Sequence, residues 1–157
     1  LTKCDAVKLE GGKKIINVIK HLTKRGIPVM GHIGLLPQSA INFKVKGKNL
    51  IQEKQILEDA KLLSNAGVFA IVIECVVENL AKKITKMISV PTIGIGASKY
   101  CDGQILVIDD MIGLSDFHPK FVRQYSNIRK IIKTGVKNYA RDVKQRKFPS
   151  IHNAYRY

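Results

Sequence analysis

The regular alternation of short apolar runs with amphipathic helical stretches constrains the fold of this chain more than any other feature. The apolar run at residues 68–73 is too short for a helix and is typical of a strand buried on both faces. The periodicity predicts strands at 5–10, 27–31, 68–73, 90–95 and 104–108, helices at 14–25, 49–65 and 79–88, and one or two helices within 120–144. Strands that alternate with helices predict an α/β fold with a parallel sheet.

Ionisable side chains stand at the ends of the first three predicted strands. These residues are Lys8, Glu10, His32 and Glu74. A parallel α/β barrel gathers its catalytic groups in this way, because its active site lies at the carboxyl ends of the strands. A complete barrel needs about 250 residues, whereas this chain has 157. We therefore expect a partial barrel that forms one domain at residues 1–147, followed by an irregular tail at 148–157.

The chemistry of three of these residues suggests roles for them. Lys8 and Glu10 are two residues apart in one strand and face the same side of the sheet. The lysine suits a carboxylate or keto oxygen, and the glutamate offers the hard oxygen ligands that Mg²⁺ prefers; the alternative is an ion pair on an exposed edge. Glu74 follows an apolar run, so burial is expected to raise its pKa and suit it to act as a general base. The alternative for Glu74 is an exposed carboxylate paired with a lysine.

Glycines mark two further places where a ligand is expected to approach. His32 lies between Gly31 and Gly34, and we interpret it as a site residue; a polar residue satisfied by its neighbours is the alternative. Residues 94–98, with the sequence GIGAS, lack the lysine of a phosphate-binding loop and the full glycine spacing of a dinucleotide site. This segment fits a loop beside a ligand.

The chain is strongly basic, with 27 Lys and Arg residues against 12 Asp and Glu residues and a formal net charge of +15. A nucleic-acid surface and a solvated lysine-rich surface both have such a composition. The lysines are scattered and no nucleic-acid motif accompanies them, so we expect no nucleic-acid partner. No apolar run approaches the roughly 20 residues of a membrane span, so we expect no membrane partner.

Three cysteines, Cys4, Cys75 and Cys101, are widely spaced in the chain. Their odd number and their spacing argue against a disulfide framework and against a zinc site of the CxxC type. This pattern is typical of a reducing compartment, so we expect a cytoplasmic protein. Cys75 follows Glu74, and we interpret it as a small buried side chain rather than a nucleophile.

Six segments together carry a specific pattern. They are DAVKLEGG at 5–12, GHIGLLPQS at 31–39, IECV at 73–76, PTIGIGA at 91–97, CDGQILV at 101–107 and PKFV at 119–122. This set resembles the ketopantoate hydroxymethyltransferase family from one end of the chain to the other. The resemblance implies a (β/α)8 TIM-type barrel of which strands four to eight are present here and the first three are missing.

The resemblance also implies a reaction and a set of roles. In the family, a hydroxymethyl group is transferred from 5,10-methylenetetrahydrofolate to 3-methyl-2-oxobutanoate in pantothenate biosynthesis, and Mg²⁺ binds the keto acid. By position in the motifs, Glu10 is a metal ligand and Glu74 is the proton acceptor. Lys8 and His32 are implied to bind substrate. A homo-oligomer, a decamer when the barrel is complete, is implied as well.

Several departures from the family pattern bear on activity. The family's other two metal ligands are aspartates on the second and third strands, and Asp5 cannot replace them because it begins a strand at the opposite end of the barrel. Leu36, Val77 and Ser98 stand where the family has threonine, proline and glycine. We therefore expect the chain to be inactive without the missing strands. The alternatives are a non-catalytic remnant of the enzyme and a basic nucleic-acid-binding module.

Overall fold

The computed structural model describes residues 3–40 and 43–155. In these residues there are five strands: β1 (Val7–Glu10), β2 (Val29–Gly34), β3 (Ala70–Glu74), β4 (Thr92–Ile95) and β5 (Gly103–Gln104). They form one parallel sheet in the spatial order β1-β2-β3-β4-β5. The predicted α/β class and parallel sheet are confirmed, and the arrangement is consistent with a TIM-type barrel.

Helices separate most of the strands along the chain. In the described residues they are α1 (Ile16–Thr23), α2 (Leu50–Asn65), α3 (Glu78–Met87), α4 (Ile108–Met111) and α5 (Ile128–Lys144). A 3-10 turn at Lys13–Ile15 leads into α1. None of these helices is both long enough and apolar enough to cross a membrane. The chain divides into two compact units, Leu1–Ile105 with the whole sheet and Leu106–Tyr157 with α4 and α5.

The ends of helix α2 follow from the residues that flank it. The Asn49 side chain accepts a hydrogen bond from the Gln52 amide at 2.9 Å, which satisfies one of the unpaired amides of the first turn. Gly67 follows the helix with a φ of +86°, in the left-handed region that glycine adopts without strain. The observed helix therefore agrees closely with the prediction for residues 49–65.

The hydrophobic core lies between one face of the sheet and helices α1 to α3. Alternate strand residues point to this face, among them the buried side chains of Ile33, Ile71 and Ile73. They belong to one cluster with buried residues of the helices, namely Ile19, Ile56, Ala60, Leu63, Leu80, Ala81 and Ile84. Burial of each large aliphatic side chain contributes about 1.5–3 kcal/mol. This layer therefore holds the strands at fixed positions and leaves the other face of the sheet for polar groups.

The sequence predicted that the second strand ends at Gly31, but the observed strand β2 extends beyond this residue. The strand continues through His32 to Gly34 and pairs with β1 on one side and β3 on the other. Glycine suits position 31 of this strand because a helix packs closely over it, where a Cβ atom would lie 3.0 Å from Leu63 Cδ1. The pairing of His32 with both neighbouring strands holds this residue within the sheet rather than in a loop after it.

Strand β5 is shorter than predicted, and the strand prediction for residues 104–108 is wrong beyond Gln104. Its neighbour β4 ends at Ile95, and Gly96 then turns the chain with a φ of +60°. A strand persists only where a neighbour supplies hydrogen bonds, so the pairing stops there. The last residue of the predicted strand, Ile108, instead begins α4.

The helix prediction for residues 120–144 is right only for its second part. A single helix, α5, begins after Asn127, whose side chain accepts a hydrogen bond from the Lys130 amide at 3.0 Å. Gly135 does not break it. An interior glycine costs only about 1 kcal/mol, which a helix of 17 residues tolerates.

Asp102 ties the segment before β5 to the start of β4. Its Oδ2 atom accepts hydrogen bonds from the Thr92 amide at 2.8 Å and from Thr92 Oγ1 at 3.0 Å. Thr92 is fully buried, and its hydroxyl also bonds to Thr85 Oγ1 of α3 at 2.9 Å. The bonds from the Thr92 amide and hydroxyl lower the pKa of Asp102 from its usual value of 3.8.

Replacing Asp102 with asparagine is expected to lower the free energy of unfolding at neutral pH. The free energy of unfolding of this variant is also expected to change less as the pH falls into the acid range. Because the pKa of Asp102 is lower in the folded than in the unfolded state, the carboxylate stabilises the fold above the unfolded-state value of 3.8. That contribution is lost as the pH falls through the folded-state pKa. Urea unfolding from neutral pH to about pH 3 measures the difference, with Asp5→Asn at an exposed position as the control. Parallel pH curves for the original chain and Asp102→Asn contradict the prediction.

Candidate active site

The four predicted site residues lie on the face of the sheet opposite helices α1 to α3. The parallel register pairs Glu10 with His32 and Gly34 with Glu74, and paired residues point to the same side. Lys8 lies two residues before Glu10 and shares this face. The structure therefore brings the four side chains from three adjacent strands to one surface.

His32 is the centre of this cluster. Its side chain is 2% exposed, and its Nδ1 atom lies 3.3 Å from Lys8 Nζ and 3.6 Å from Glu10 Oε1. Because an ammonium group only donates hydrogen bonds, Nδ1 accepts from Lys8, and the neutral ring carries its proton on Nε2. Lys8 Nζ also lies 3.6 Å from Glu10 Oε1, so these three side chains form one polar network.

The Nε2 atom of His32 lies beside Glu74 on the other side of the ring. It is 3.2 Å from Glu74 Oε2, but the geometry is not that of a hydrogen bond, and Nε2 has no hydrogen-bond partner among the described residues. A buried donor left unpaired costs about 1–3 kcal/mol. The ring therefore carries an unsatisfied donor within the cluster.

Burial and neighbouring charges shift the pKa values of two of these groups in opposite directions. Desolvation raises the pKa of Glu74, the charge of Glu10 raises it further, and Lys8 opposes the rise. Desolvation also lowers the pKa of His32, and Lys8 lowers it further, whereas the charge of Glu10 and the Leu35 backbone oppose the change. At neutral pH His32 is therefore uncharged, and Glu74 is a stronger base than an ordinary glutamate.

One contact of Glu10 could not be predicted from the sequence. The backbone amide of Gln38, in the loop after β2, donates a hydrogen bond to Glu10 Oε2 at 3.2 Å. Gln38 belongs to the GHIGLLPQS segment, but a backbone donor leaves no trace in the residue type. The side chain of Glu10 is 10% exposed, so its carboxylate is held between this loop and the His32 network.

The backbone bends sharply after Glu74. Cys75 has a φ of +49°, its amide donates to Ile95 O at 2.9 Å, and its carbonyl accepts from the Lys46 amide at 2.8 Å. The Glu74 carbonyl accepts from the Leu35 amide at 2.8 Å. These bonds define the end of β3 and the place of its carboxylate. The Cys75 thiol is buried, and burial followed by the charge of Glu74 raises its pKa, which makes it a poor nucleophile.

The three departures from the family pattern have different surroundings. Leu36 lines a cavity of about 200 Å³ that borders α2 and contains none of the four cluster residues in its wall. Val77 precedes α3, and its amide donates to Lys46 O at 3.1 Å. Ser98 is buried, and its hydroxyl accepts from the Tyr100 amide at 3.2 Å. The effect of these three departures on activity stays a prediction.

The cluster contains two carboxylates, Glu10 and Glu74, on either side of the imidazole. Across residues 3–40 and 43–155, no three His, Cys, Asp or Glu side chains are grouped so that they form a metal site by themselves. Mg²⁺ is usually bound by one or two protein carboxylates, with waters and substrate oxygens completing its shell. The arrangement therefore offers a cation for an anionic group, one unpaired donor, one buried base and one carboxylate with the chemistry of a metal ligand.

The parallel sheet and the polar cluster at its carboxyl end define the class: an α/β protein with the site placement of TIM-type barrel enzymes. The model of the family described as Ketopantoate hydroxymethyltransferase matches residues 1–151. The chain belongs to this family. The resemblance inferred from the six sequence segments is thereby confirmed.

Curated relatives agree with this family. The chain is 59% identical to the 3-methyl-2-oxobutanoate hydroxymethyltransferase of Pelagibacter ubique, over 98% of this chain and 60% of the relative. It is 55% identical to the protein of that name from Clostridium botulinum, over 96% of this chain and 56% of the relative. For Pelodictyon phaeoclathratiforme the identity is 50%, over 97% of this chain and 56% of the relative. The chain thus spans 56–60% of the length of these relatives.

Proposed function

We propose that this chain supplies the keto-acid-binding and proton-abstracting part of a 3-methyl-2-oxobutanoate hydroxymethyltransferase. The observation that carries this proposal is the convergence of Lys8, Glu10, His32 and Glu74, with contacts between 3.2 and 3.6 Å. The reaction is the transfer of a hydroxymethyl group from 5,10-methylenetetrahydrofolate to 3-methyl-2-oxobutanoate, a step of pantothenate biosynthesis. Membership of the family supports this choice of substrates.

Lys8 and His32 bind the keto acid in this proposal. The Lys8 side chain is 43% exposed, so its ammonium group is open to the substrate carboxylate while it remains next to His32. The unpaired Nε2–H of His32 donates to a substrate oxygen, which would satisfy the one buried polar side-chain atom without a partner in the described residues. Binding of the keto acid would therefore remove the free-energy cost of leaving this buried donor unpaired in the free site.

Glu74 accepts the proton from C3 of the keto acid. The electron pair left at C3 then forms the bond to the one-carbon unit, whose two bonds to folate nitrogens break in the transfer. A water supplies the hydroxyl oxygen, and two protons, one from C3 and one from that water, pass to the two nitrogens, so that tetrahydrofolate leaves. Two features support Glu74 in this role: burial raises its pKa, and its side chain is only 14% exposed, so few waters compete for its oxygens. His32, which lies beside Glu74, is uncharged and therefore does not form an ion pair with its carboxylate.

The donor set fits Mg²⁺ as a partial site. Glu10 offers hard carboxylate oxygens. Its negative charge raises the pKa of Glu74, and the same negative charge attracts a cation. Glu10 is the proposed ligand, with its remaining partners among waters, substrate and residues beyond this chain. When bound, the ion supplies Lewis-acid polarisation of the keto group.

The architecture proposed for the complete protein is a (β/α)8 barrel in which β1 to β5 are the fourth to eighth strands. The first three strands lie outside this chain, which is inactive alone because its metal site lacks their ligands. Residues 1–147 belong to one domain, with an irregular tail at 148–157. The complete protein is a cytoplasmic homo-oligomer, a decamer, without nucleic-acid or membrane partners.

Combining the chain with the first three strands of the Pelagibacter ubique relative tests this function. The mixture receives 3-methyl-2-oxobutanoate and Mg²⁺ in D₂O, and NMR follows the loss of the C3 proton signal. We expect exchange in the mixture and none with either part alone. A folded complex that binds the keto acid without exchanging its proton contradicts the role of Glu74. A folded complex that does not bind the keto acid favours a non-catalytic remnant.

A further inference from the structure

Asp59 lies on α2, in the helix layer, and takes no part in the proposed reaction. Its Oδ1 atom accepts a hydrogen bond at 2.7 Å from the backbone amide of Lys13, a residue 46 positions earlier in the chain. Burial raises the pKa of Asp59 against the opposing effect of the Lys13 amide. A half-buried carboxylate with a short bond to a distant backbone amide is a specific connection between two elements.

Asp59 also packs directly against Gly12. A Cβ atom at Gly12 would lie 1.9 Å from Asp59 Cγ, so the carboxyl group occupies the space that a side chain at this position would need. The carbonyl of Gly12 accepts from the Ile15 amide at 3.0 Å and closes the 3-10 turn. We call this set of contacts, made by Asp59 with Gly12 and Lys13, the Asp59 clasp.

The Asp59 clasp holds the chain just after the end of β1. Only Gly11 separates Glu10 from Gly12; it has a φ of +126°, and its amide donates to His32 O at 2.9 Å. In the described residues β1 is an edge strand, with β2 as its neighbour. The carboxyl end of β1 is therefore held by the Gly11 bond to β2 and, from the helix layer, by the Asp59 clasp.

We propose that Asp59 is a positioning residue for Glu10: by holding the Lys13 amide, it sets the turn at which β1 ends and so places the Glu10 carboxylate beside His32. The effect on the position of Glu10 follows from these contacts alone. A consequence for Mg²⁺ binding rests on the function proposed above. Asp59 acts through the turn and contacts no reacting group.

Four substitutions separate this role from general effects on stability. Asp59→Leu and Asp59→Asn resemble aspartate in branching, but only asparagine keeps an oxygen acceptor for the Lys13 amide. Asp59→Ala removes the acceptor without adding volume, in case leucine crowds Gly12. Glu58→Ala is the matched control, because the adjacent Glu58 bonds to the exposed side chain of Lys13, at 3.3 Å, rather than to its amide.

Hydrogen exchange measured by NMR compares the Gly11 amide with the Ile71 amide, which donates to Pro91 O at 2.9 Å within the sheet. Asp59→Leu and Asp59→Ala are expected to speed exchange at Gly11 about tenfold relative to Ile71, because a bond to a carboxylate is lost and the turn opens locally. Asp59→Asn and Glu58→Ala are expected to keep the ratio of the original chain.

Two results overturn the positioning role. One is unchanged exchange at Gly11 in both the leucine and alanine variants, and the other is equal acceleration at Gly11 and Ile71. Titration with Mg²⁺ of the complex with the first three strands, followed by the carboxyl ¹³C signal of Glu10, provides the second readout, and weaker binding in Asp59→Leu but not in Asp59→Asn is expected. If Mg²⁺ does not shift this signal in the complex of the original chain, the metal role of Glu10 fails, while exchange at Gly11 still decides the role of Asp59.

Discussion

Replacing Glu74 with glutamine is expected to slow proton exchange at C3 of 3-methyl-2-oxobutanoate by about 10²- to 10⁴-fold in the complex of the chain with the first three strands. Glutamine has nearly the same shape, so the end of β3 and its neighbours are preserved. It has no basic carboxylate, and the carboxylate that it replaces is a strengthened base because burial raises its pKa. The effect should fall on the exchange rate rather than on the affinity for the keto acid.

The assay for this prediction is the NMR exchange experiment, with keto-acid binding measured separately by calorimetry. Glu78→Gln is the matched control, because it is the same substitution four residues later, at an exposed position in the first turn of α3. We expect the control to exchange at the original rate. Equal rates for Glu74→Gln and Glu78→Gln would show that the proton acceptor is another group.

Replacing Gly34 with alanine is expected to lower the free energy of unfolding by about 3 kcal/mol or more. Gly34 ends β2 with a φ of +95°, where an L side chain is strained. The added Cβ atom would also lie 2.2 Å from the backbone oxygen of Glu74. This oxygen accepts the Leu35 amide at 2.8 Å, so it cannot move without loss of a bond at the end of β3.

Gly26→Ala separates the two causes of this loss. Gly26 also has a positive φ, +73°, but a Cβ atom there would meet nothing within 4 Å. We expect a loss of about 1 kcal/mol from backbone strain alone. Urea unfolding followed by circular dichroism measures both variants against the original chain. Similar losses at the two positions would contradict the contact between position 34 and the Glu74 carbonyl.

Local sequence patterns were sufficient to predict those helices and strands whose limits are set by their own residues. Helix α2 is predictable because Asn49 caps its first turn and Gly67 follows its last. Strand β3 is predictable because it lies between two other strands, and a strand in that position is apolar throughout. The prediction failed for β5 beyond Gln104, since the length of a strand there depends on where its neighbour ends.

The amino-acid sequence alone established the family, the α/β class and the face shared by Lys8 and Glu10, because motifs and the two-residue period of a strand are local properties. The packing of the folded chain decided which atoms meet. It places His32 Nδ1 beside Lys8, the Gln38 amide on Glu10, and Asp59 over the turn after β1. These pairs are 24, 28 and 46 residues apart, and their geometry depends on sheet register and on the packing of helices against strands, which no local pattern specifies.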